Sequence, residues 1–404
     1  MNKTTSLAVF IGITFLLATG ISFSQKIETK DGVRLVHNEK DGKWGKNPKI
    51  SLEYIMNIGD LESDDDSVLF YMPSDIATDV EGNVYVLDSG NHRIQKFDSQ
   101  GNFLASFGRH GQGPGEFQYP QSIDIDVEGN MYVADSGNQK VNILKPDGTF
   151  DKDIQMMDEA PGVIRIRGNK LIQAKGASLF SLQMGMMNQD EELPMLIKVL
   201  NMEAEAQKEF GEQKDFKDFL VNRMGNRYHV FVDKAGYVYL AFDYQNRIEK
   251  YSPEGKLLWR ADRKLNYDVS TPKTKGSRSG SGGRMVVEMP DMNRVGSGIS
   301  VDDKGRVWVV TNKRQIKEEE RVGMNVSVSM MGAQRSKSYS VQGNTDVQET
   351  DMYQIEIYDP EGVLLGTIQI DKFADDIHIA KDRVYILDRM RGMQYYVYKI
   401  IENN

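Results

Sequence analysis

Along most of the chain, short apolar runs alternate with small polar turns, and the pattern repeats. The stretch DVEGNVYVLDSGNHRIQKFDSQGNFLASFG, from Asp79 to Gly108, holds three apolar runs, each stopped by a Gly-containing turn. A worn copy, DVEGNMYVADSGNQKV, begins at Asp126. Each unit reads strand, tight turn, strand, loop, strand, tight turn, strand. In the first unit this predicts strands near 75–80, 83–88, 93–98 and 103–107. Glu81-Gly82 and Gln100-Gly101 put Gly where an antiparallel hairpin needs positive φ. Pro146-Asp147-Gly148, Pro253-Glu254-Gly255 and Pro360-Glu361-Gly362 add a Pro that pre-sets the turn.

Further copies begin at Asp233 (DKAGYVYLAFDYQNRIEKYSPEGKLLW), Asp302 (DDKGRVWVVT) and Ile377 (IHIAKDRVYILD). VIRIRGNKLIQA and LIKVLNMEAEAQKEFG supply four more strands between Gly162 and Gly211. Segments such as VYVLD and VWVVT are apolar at nearly every position, which suits strands covered on both faces. Radial packing of four-stranded sheets provides that cover. The sixth unit ends one strand short, while 49–59 (KISLEYIMNIG) is one strand too many before the first unit. Pairing the two ends repairs both faults and removes a free edge. The expected fold is all-β: a six-bladed β-propeller of four-stranded antiparallel blades over 49–404, closed by an N-terminal strand in the last blade. Residues 25–48 remain as an extension.

On these residues the resemblance is to NHL repeats, carried by YVLDSGNHRIQKFDSQGNFLASFG and YVADSGNQKVNILKPDGTF. The whole chain after residue 24 resembles exported bacterial six-bladed propellers of that type. The resemblance implies the fold and leaves function open, since such relatives include both binding modules and lyases. The lyases would hold a metal with several His in the central channel. Five His are present: His37 precedes the fold and His92 belongs to the repeat loop. His110, His229 and His378 remain, from three blades and at three levels of the blade pattern.

The first 24 residues change the picture of location. Lys3 is their one charge, an apolar run covers 7–18, and Ser22-Phe23-Ser24 offers small residues before Gln25. That is the anatomy of a secretory signal, so a periplasmic or secreted protein is expected. The chain has no Cys, which excludes both a Cys-linked lipid anchor and disulfides. A formal charge of −9 argues against a nucleic-acid partner. No later run is apolar enough to cross a membrane, and a monomer is expected.

Long insertions are expected at 177–194, 212–227, 262–295 and 312–352. The first and last lie between the second and third strands of a blade, and the other two link blades. In an up-and-down blade both connection types leave from the same side, so all the elaboration falls on one face. Loops on a rigid scaffold carry function. Residues 271–284 read as flexible and locally basic, through Lys273, Lys275, Arg278 and Arg284. KEEER (317–321) reads as a solvated turn or short helix, and 327–342 as a long hairpin or a disordered arm. Met184, Met186 and Met187 would suit Cu(I), but better suit an adaptable contact surface.

The innermost strands align on their turns. Ile76, Ile123, Ile164, Val230, Ile299 and Ile377 form one set, and Thr78, Ile125, Ile166, Val232, Val301 and Ile379 another; both should pack blade against blade. Between them lie Ala77, Asp124, Arg165, Phe231, Ser300 and His378. NHL repeats usually have a small residue there, so Asp124, Arg165 and His378 depart from the pattern. Asp124 and Arg165, on adjacent blades, are expected to pair. Toward the elaborated face come Asp75, Ser122, Val163, His229, Gly298 and Asp376, with Asp375 beside Asp376 and Tyr228 beside His229. The carboxylates could hold a divalent cation, Ca or Zn, or a cationic group; alternatively each caps a turn or accepts backbone N–H groups. The repeated Asp-Ser-Gly-Asn at Asp88 and Asp135, followed by Arg93 and Lys140, reads as loop scaffolding. The functional expectation is an exported non-enzymatic module binding an envelope protein, peptide or glycan. The alternative is a metal-dependent lyase or hydrolase with its site near Asp75, His229 and Asp376.

Overall fold

In the computed structural model, residues 25–39, 41–157, 159–175, 193–281, 284–331 and 334–403 are described. The fold is built on the repeated turns, and each begins with an Asp that caps it. Asp79 Oδ1 accepts the amide N–H groups of Gly82 and Asn83, both at 2.9 Å. Asp126, Asp233, Asp302 and Asp359 do the same for two amides each in their own turns. Gly148 shows why these turns end in glycine. Its φ is +83°, and a Cβ there would lie 2.0 Å from the Phe107 ring.

Six four-stranded meanders follow. Blade one is Pro73–Thr78, Val84–Asp88, Arg93–Phe97 and Phe103–Phe107; blade two is Pro120–Ile125, Met131–Asp135, Lys140–Leu144 and Phe150–Gln155. Blade three is Val163–Arg167, Lys170–Ala174, Ile197–Leu200 and Ala206–Phe210; blade four is Tyr228–Val232, Val238–Phe242, Ile248–Tyr251 and Leu257–Arg263. Blade five is Gly296–Val301, Val307–Asn312, Tyr353–Tyr358 and Leu364–Gln369. Blade six joins Asp376–Ala380, Arg383–Asp388 and Gln394–Glu402 to the N-terminal Ile50–Ile58. The closing strand runs antiparallel, with Ile50 opposite Glu402 and Ile58 opposite Tyr395. The ring is therefore shut by its own N-terminus.

The core sits between the blades. Six hydrophobic clusters each span one pair of neighbouring sheets, including blade six against blade one. The two aligned sets of inner-strand residues feed these interfaces in turn, Thr78 apart. Ile76 joins the six–one cluster, Ile123 the one–two cluster, Ile164 and Ile166 the two–three cluster, and Ile377 and Ile379 the five–six cluster. Burial stabilises by ~25 cal/mol per Å² of apolar surface, and each sheet finds that cover only with a neighbour on either side.

Residues 25–48 are more than an extension. Lys26–Lys30 and Val33–Asn38 form a hairpin whose second strand pairs in parallel with Leu257–Arg263, extending blade four to six strands. Val36 is fully buried there. Asn38 then bonds the backbone of Asp262, Gly362 and Leu364. The amides of Lys43 and Trp44 donate to Leu364 O and Leu365 O on the outer strand of blade five. The N-terminal segment thus runs as a belt over blades four and five before closing blade six.

Three insertion readings need correction or refinement. The stretch read as flexible contains a hairpin, Ser277–Ser281 with Arg284–Glu288, because a ladder needs only backbone groups. Val322–Met331 and Gln334–Gly343 form a second, longer hairpin. Glu320, read as part of a solvated turn, is buried, because it holds Arg314 and the Thr350 hydroxyl. Between blades three and four, helix Phe219–Gly225, capped by Asp218, packs Val221 against Tyr244 and Met292. Met184, Met186 and Met187, like residues 1–24, lie outside the described residues.

Candidate functional site

The inner strands surround a central channel of about 1480 Å³. Each inner strand is a sheet edge, so half of its backbone groups lack a ladder partner. Side chains of the preceding blade supply partners. Asp75 Oδ2 accepts from the Ile123 amide at 3.0 Å, and Asp124 Oδ2 from the Ile166 amide at 2.7 Å. Ser122 Oγ accepts from the Ile164 amide at 2.9 Å, and Ser300 Oγ from the Ile379 amide at 2.9 Å. The channel carboxylates are thus inter-blade fasteners before they are anything else.

Two ion pairs each reach across an intervening blade. Arg165 of blade three donates from Nη1 to Asp75 Oδ2 of blade one at 2.9 Å, and from Nη2 to Oδ1 at 3.3 Å. The expected Asp124–Arg165 pair does not form. Asp124 is turned to the amides of Ile125 and Ile166, and Arg167, two residues beyond Arg165 on the same strand face, takes it at 2.9 Å. Opposite, His229 Nδ1 of blade four lies 3.4 Å from Asp376 Oδ1 of blade six. Blade five makes room for this contact with Gly298, where a Cβ would lie 2.8 Å from both Asp376 Oδ1 and the Ile377 nitrogen. His229 Nε2 lies 3.3 Å from Asp243 Oδ1.

Charge follows from these distances. Burial disfavours an imidazolium at His229, but Asp243 and Asp376 outweigh it and lift the ring to about 9. Asp243 and Asp376 are both buried, which would raise them, yet His229 holds both below the ordinary carboxylate range. Arg227 and Arg294 approach Asp243 at 3.4 and 3.9 Å. His378 is the opposite case: burial first, then the Arg165 guanidinium, push it down to about 4. Its Nε2 is buried without a hydrogen-bond partner.

The remaining expected residues are brought near the channel but turned to other work. Asp375 Oδ2 accepts from the Arg389 amide at 3.0 Å rather than facing Asp75. Tyr228 stands in the channel wall, but its hydroxyl donates to Leu196 O of blade three. His110 packs edge-on against His92, ring centroids 4.6 Å apart, and so does not join His229 and His378. Among the described residues no three His, Asp or Glu side chains converge as a metal-ligand set. A Ca or Zn ion at the mouth would have to displace the His229 and Arg165 pairs, so the donors present do not fit one.

Five charged groups here escaped the sequence reading: Arg167, Arg227, Asp243, Arg294 and Arg389. Asp243 had a signal. It follows the second strand of its blade, where Asp88, Asp135 and Asp388 end theirs. Those three scaffold loops: Asp88 takes the Tyr71 amide and Arg93 Nε, Asp135 the Gln118 amide, and Asp388 the Arg391 and Gly392 amides. In blade four the corresponding carboxylate carries a His and two Arg instead.

The family profile DUF5128, a six-bladed β-propeller, matches residues 24–271. The chain belongs to the DUF5128 family. No curated protein matches this DUF5128 member in sequence. Among solved structures, a candidate exported protein from Bacteroides fragilis is similar, with a TM-score of 0.54 at 11% identity over 92% of this chain and 100% of that one. A DUF4221 member from Bacteroides vulgatus gives 0.53 at 10% identity over 88% and 99%. At such identities the likeness concerns the fold alone. For this DUF5128 chain, then, the site rests on its own residues.

Proposed function

We propose that the chain is an exported, non-catalytic binding propeller that engages an envelope protein, peptide or glycan through its elaborated face. The observation that carries this is how the insertions are braced. The Arg294 amide donates to Gln315 Oε1 of the neighbouring insertion at 2.8 Å, and Gln315 Nε2 returns a bond to Arg294 O at 2.9 Å. Arg314 holds Glu320 and Asp351, and Arg391 of blade six reaches Glu320 O. Two hairpins therefore stand on one fixed base, as a binding surface requires. The channel supports the same reading, since its described carboxylates are engaged by His229, by Arg165 and Arg167, or by backbone amides, and a carboxylate so held is a poor general base. Export rests on the signal-like pattern of residues 1–24, and the repeat is taken as NHL-type from the quoted motifs. The protein acts as a monomer in the periplasm or outside the cell.

The test is affinity capture from envelope extract with cross-linking. The parent chain is compared with versions in which 277–288 or 322–343 is replaced by a short turn, and with His229→Gln. A partner lost with either hairpin and kept by His229→Gln is the expected result. A partner indifferent to both hairpins, or lost only with the channel variant, would overturn the reading.

A further inference from the structure

The two hairpins share a compositional oddity. Residues 271–287 contain four basic residues and no acidic one, and 322–343 contain two basic residues and no acidic one. At the chain's overall frequency of acidic residues, 59 in 404, these 39 positions should hold between five and six. A protein of net charge −9 thus keeps negative charge out of both projections.

The longer hairpin is also two-faced by register. Val322, Met324, Val326, Val328 and Met330 alternate onto one face of their strand. Met324, Val326, Val328 and Met330 stand opposite Val341, Tyr339, Lys337 and Arg335. The other face pairs Asn325 with Ser340, Ser327 with Ser338 and Ser329 with Ser336. One set of positions is therefore apolar and ends in two cations, while the other is small and polar throughout. An acidic protein or polysaccharide would account for the cations but leave the apolar positions without a use. A bilayer takes both, hydrocarbon with one and headgroups with the other.

We propose that 271–287 and 322–343 form a docking surface for an anionic phospholipid bilayer. The Val, Met and Tyr register supplies the interfacial contact, and Arg278, Arg284, Arg335 and Lys337 supply the charge that the headgroups attract. The proposal uses the same face as the proposed function but does not need that partner.

The test is vesicle co-sedimentation of the chain from Gln25 onward, since the propeller is complete without residues 1–24. Neutral phosphatidylcholine vesicles are compared with vesicles containing phosphatidylglycerol as a minor component. Binding to the anionic vesicles alone, released by high salt, is expected. Each basic residue near such a surface is worth about a fivefold change in partition, so Arg335→Gln with Lys337→Gln should weaken binding about twenty-five-fold. Val326→Ser with Val328→Ser should weaken it as well, with the melting temperature unchanged. Absent vesicle binding, equal binding to neutral vesicles, or indifference to the paired Arg335 and Lys337 changes would overturn the proposal. So would retention on a soluble anionic polysaccharide with none on vesicles. If hairpin removal abolishes partner capture while vesicle binding is absent, the binding-module reading stands and this one falls.

Discussion

Replacing His229 by Gln should uncouple the stability of the ring from alkaline pH. In the fold the imidazole is lifted from its ordinary 6.5 to about 9, because Asp243 and Asp376 flank it at 3.3 and 3.4 Å. A base whose pKa rises on folding stabilises the fold fully below its unfolded value, and that contribution fades as pH climbs through the folded value. The window is therefore pH 6.5 to about 9. A shift of this size corresponds to about 3 kcal/mol, at about 1.4 kcal/mol per pH unit. For roughly 380 ordered residues the unfolding entropy is about 0.8 kcal/mol/K, so the contribution is worth about 4 °C in melting temperature. Thermal melts of the parent chain and His229→Gln on either side of that window, near pH 6 and above pH 9, give the difference directly. The gap between them should be about 4 °C wider on the acid side. A gap that does not change with pH, or an NMR titration of the His229 ring with its midpoint at the ordinary value, would refute the reasoning.

Other changes test other contacts. Gly298→Ala puts a Cβ 2.8 Å from Asp376 Oδ1 and should cost about 1–3 kcal/mol in urea unfolding, while lowering the His229 midpoint. Asp388, lifted to about 6 by burial and then by Asp375, behaves oppositely to His229. It costs stability as pH rises from about 4 to about 6, and a pH series of melts should show that loss missing in Asp388→Asn. Arg165→Met strands Asp75 in a buried site and should cost about 3–5 kcal/mol. Adding Asp75→Asn should recover part of that, so a double-mutant cycle showing simple additivity would argue against the pair. Val36→Asp places a carboxylate where no surface is exposed, and loss of several kcal/mol in denaturant titration is expected if the belt is an integral part of blade four.

The architecture was readable because its signals are local and repeated. Asp79, Asp126, Asp233 and Asp302 each open a turn, and the aligned Ile and Val positions recur at a fixed offset from it. The closing strand was readable from a count, one strand missing at one end and one spare at the other. The belt was not, since residues 25–48 copy no repeat and their strand pairs in parallel with a partner far along the chain. Channel chemistry was legible in its residues and not in its pairings. Alignment placed Asp124 and Arg165 at one level, but a guanidinium on a long stem reaches past its neighbour to Asp75. Asp243 hid behind its own regularity, because it looks like the loop-binding Asp of three other blades until Arg227, His229 and Arg294 are seen around it. The Gly- and Ser-rich 271–284 looked unstructured because composition speaks for side chains, whereas a hairpin ladder is made by the backbone.

The belt and the closing strand also dictate the order of folding. The amide of Lys43 meets Leu364 O, and Ile50 lies opposite Glu402, so segments made first wait for partners made last. Until the final blade exists, Ile50–Ile58 is a strand without a sheet, and contacts of such separation form slowly. The ring can assemble from the middle outward, yet it locks only when both termini arrive. Shortening either end should therefore loosen the same seam, and a ribosome-bound chain cannot be native before its last strand is free.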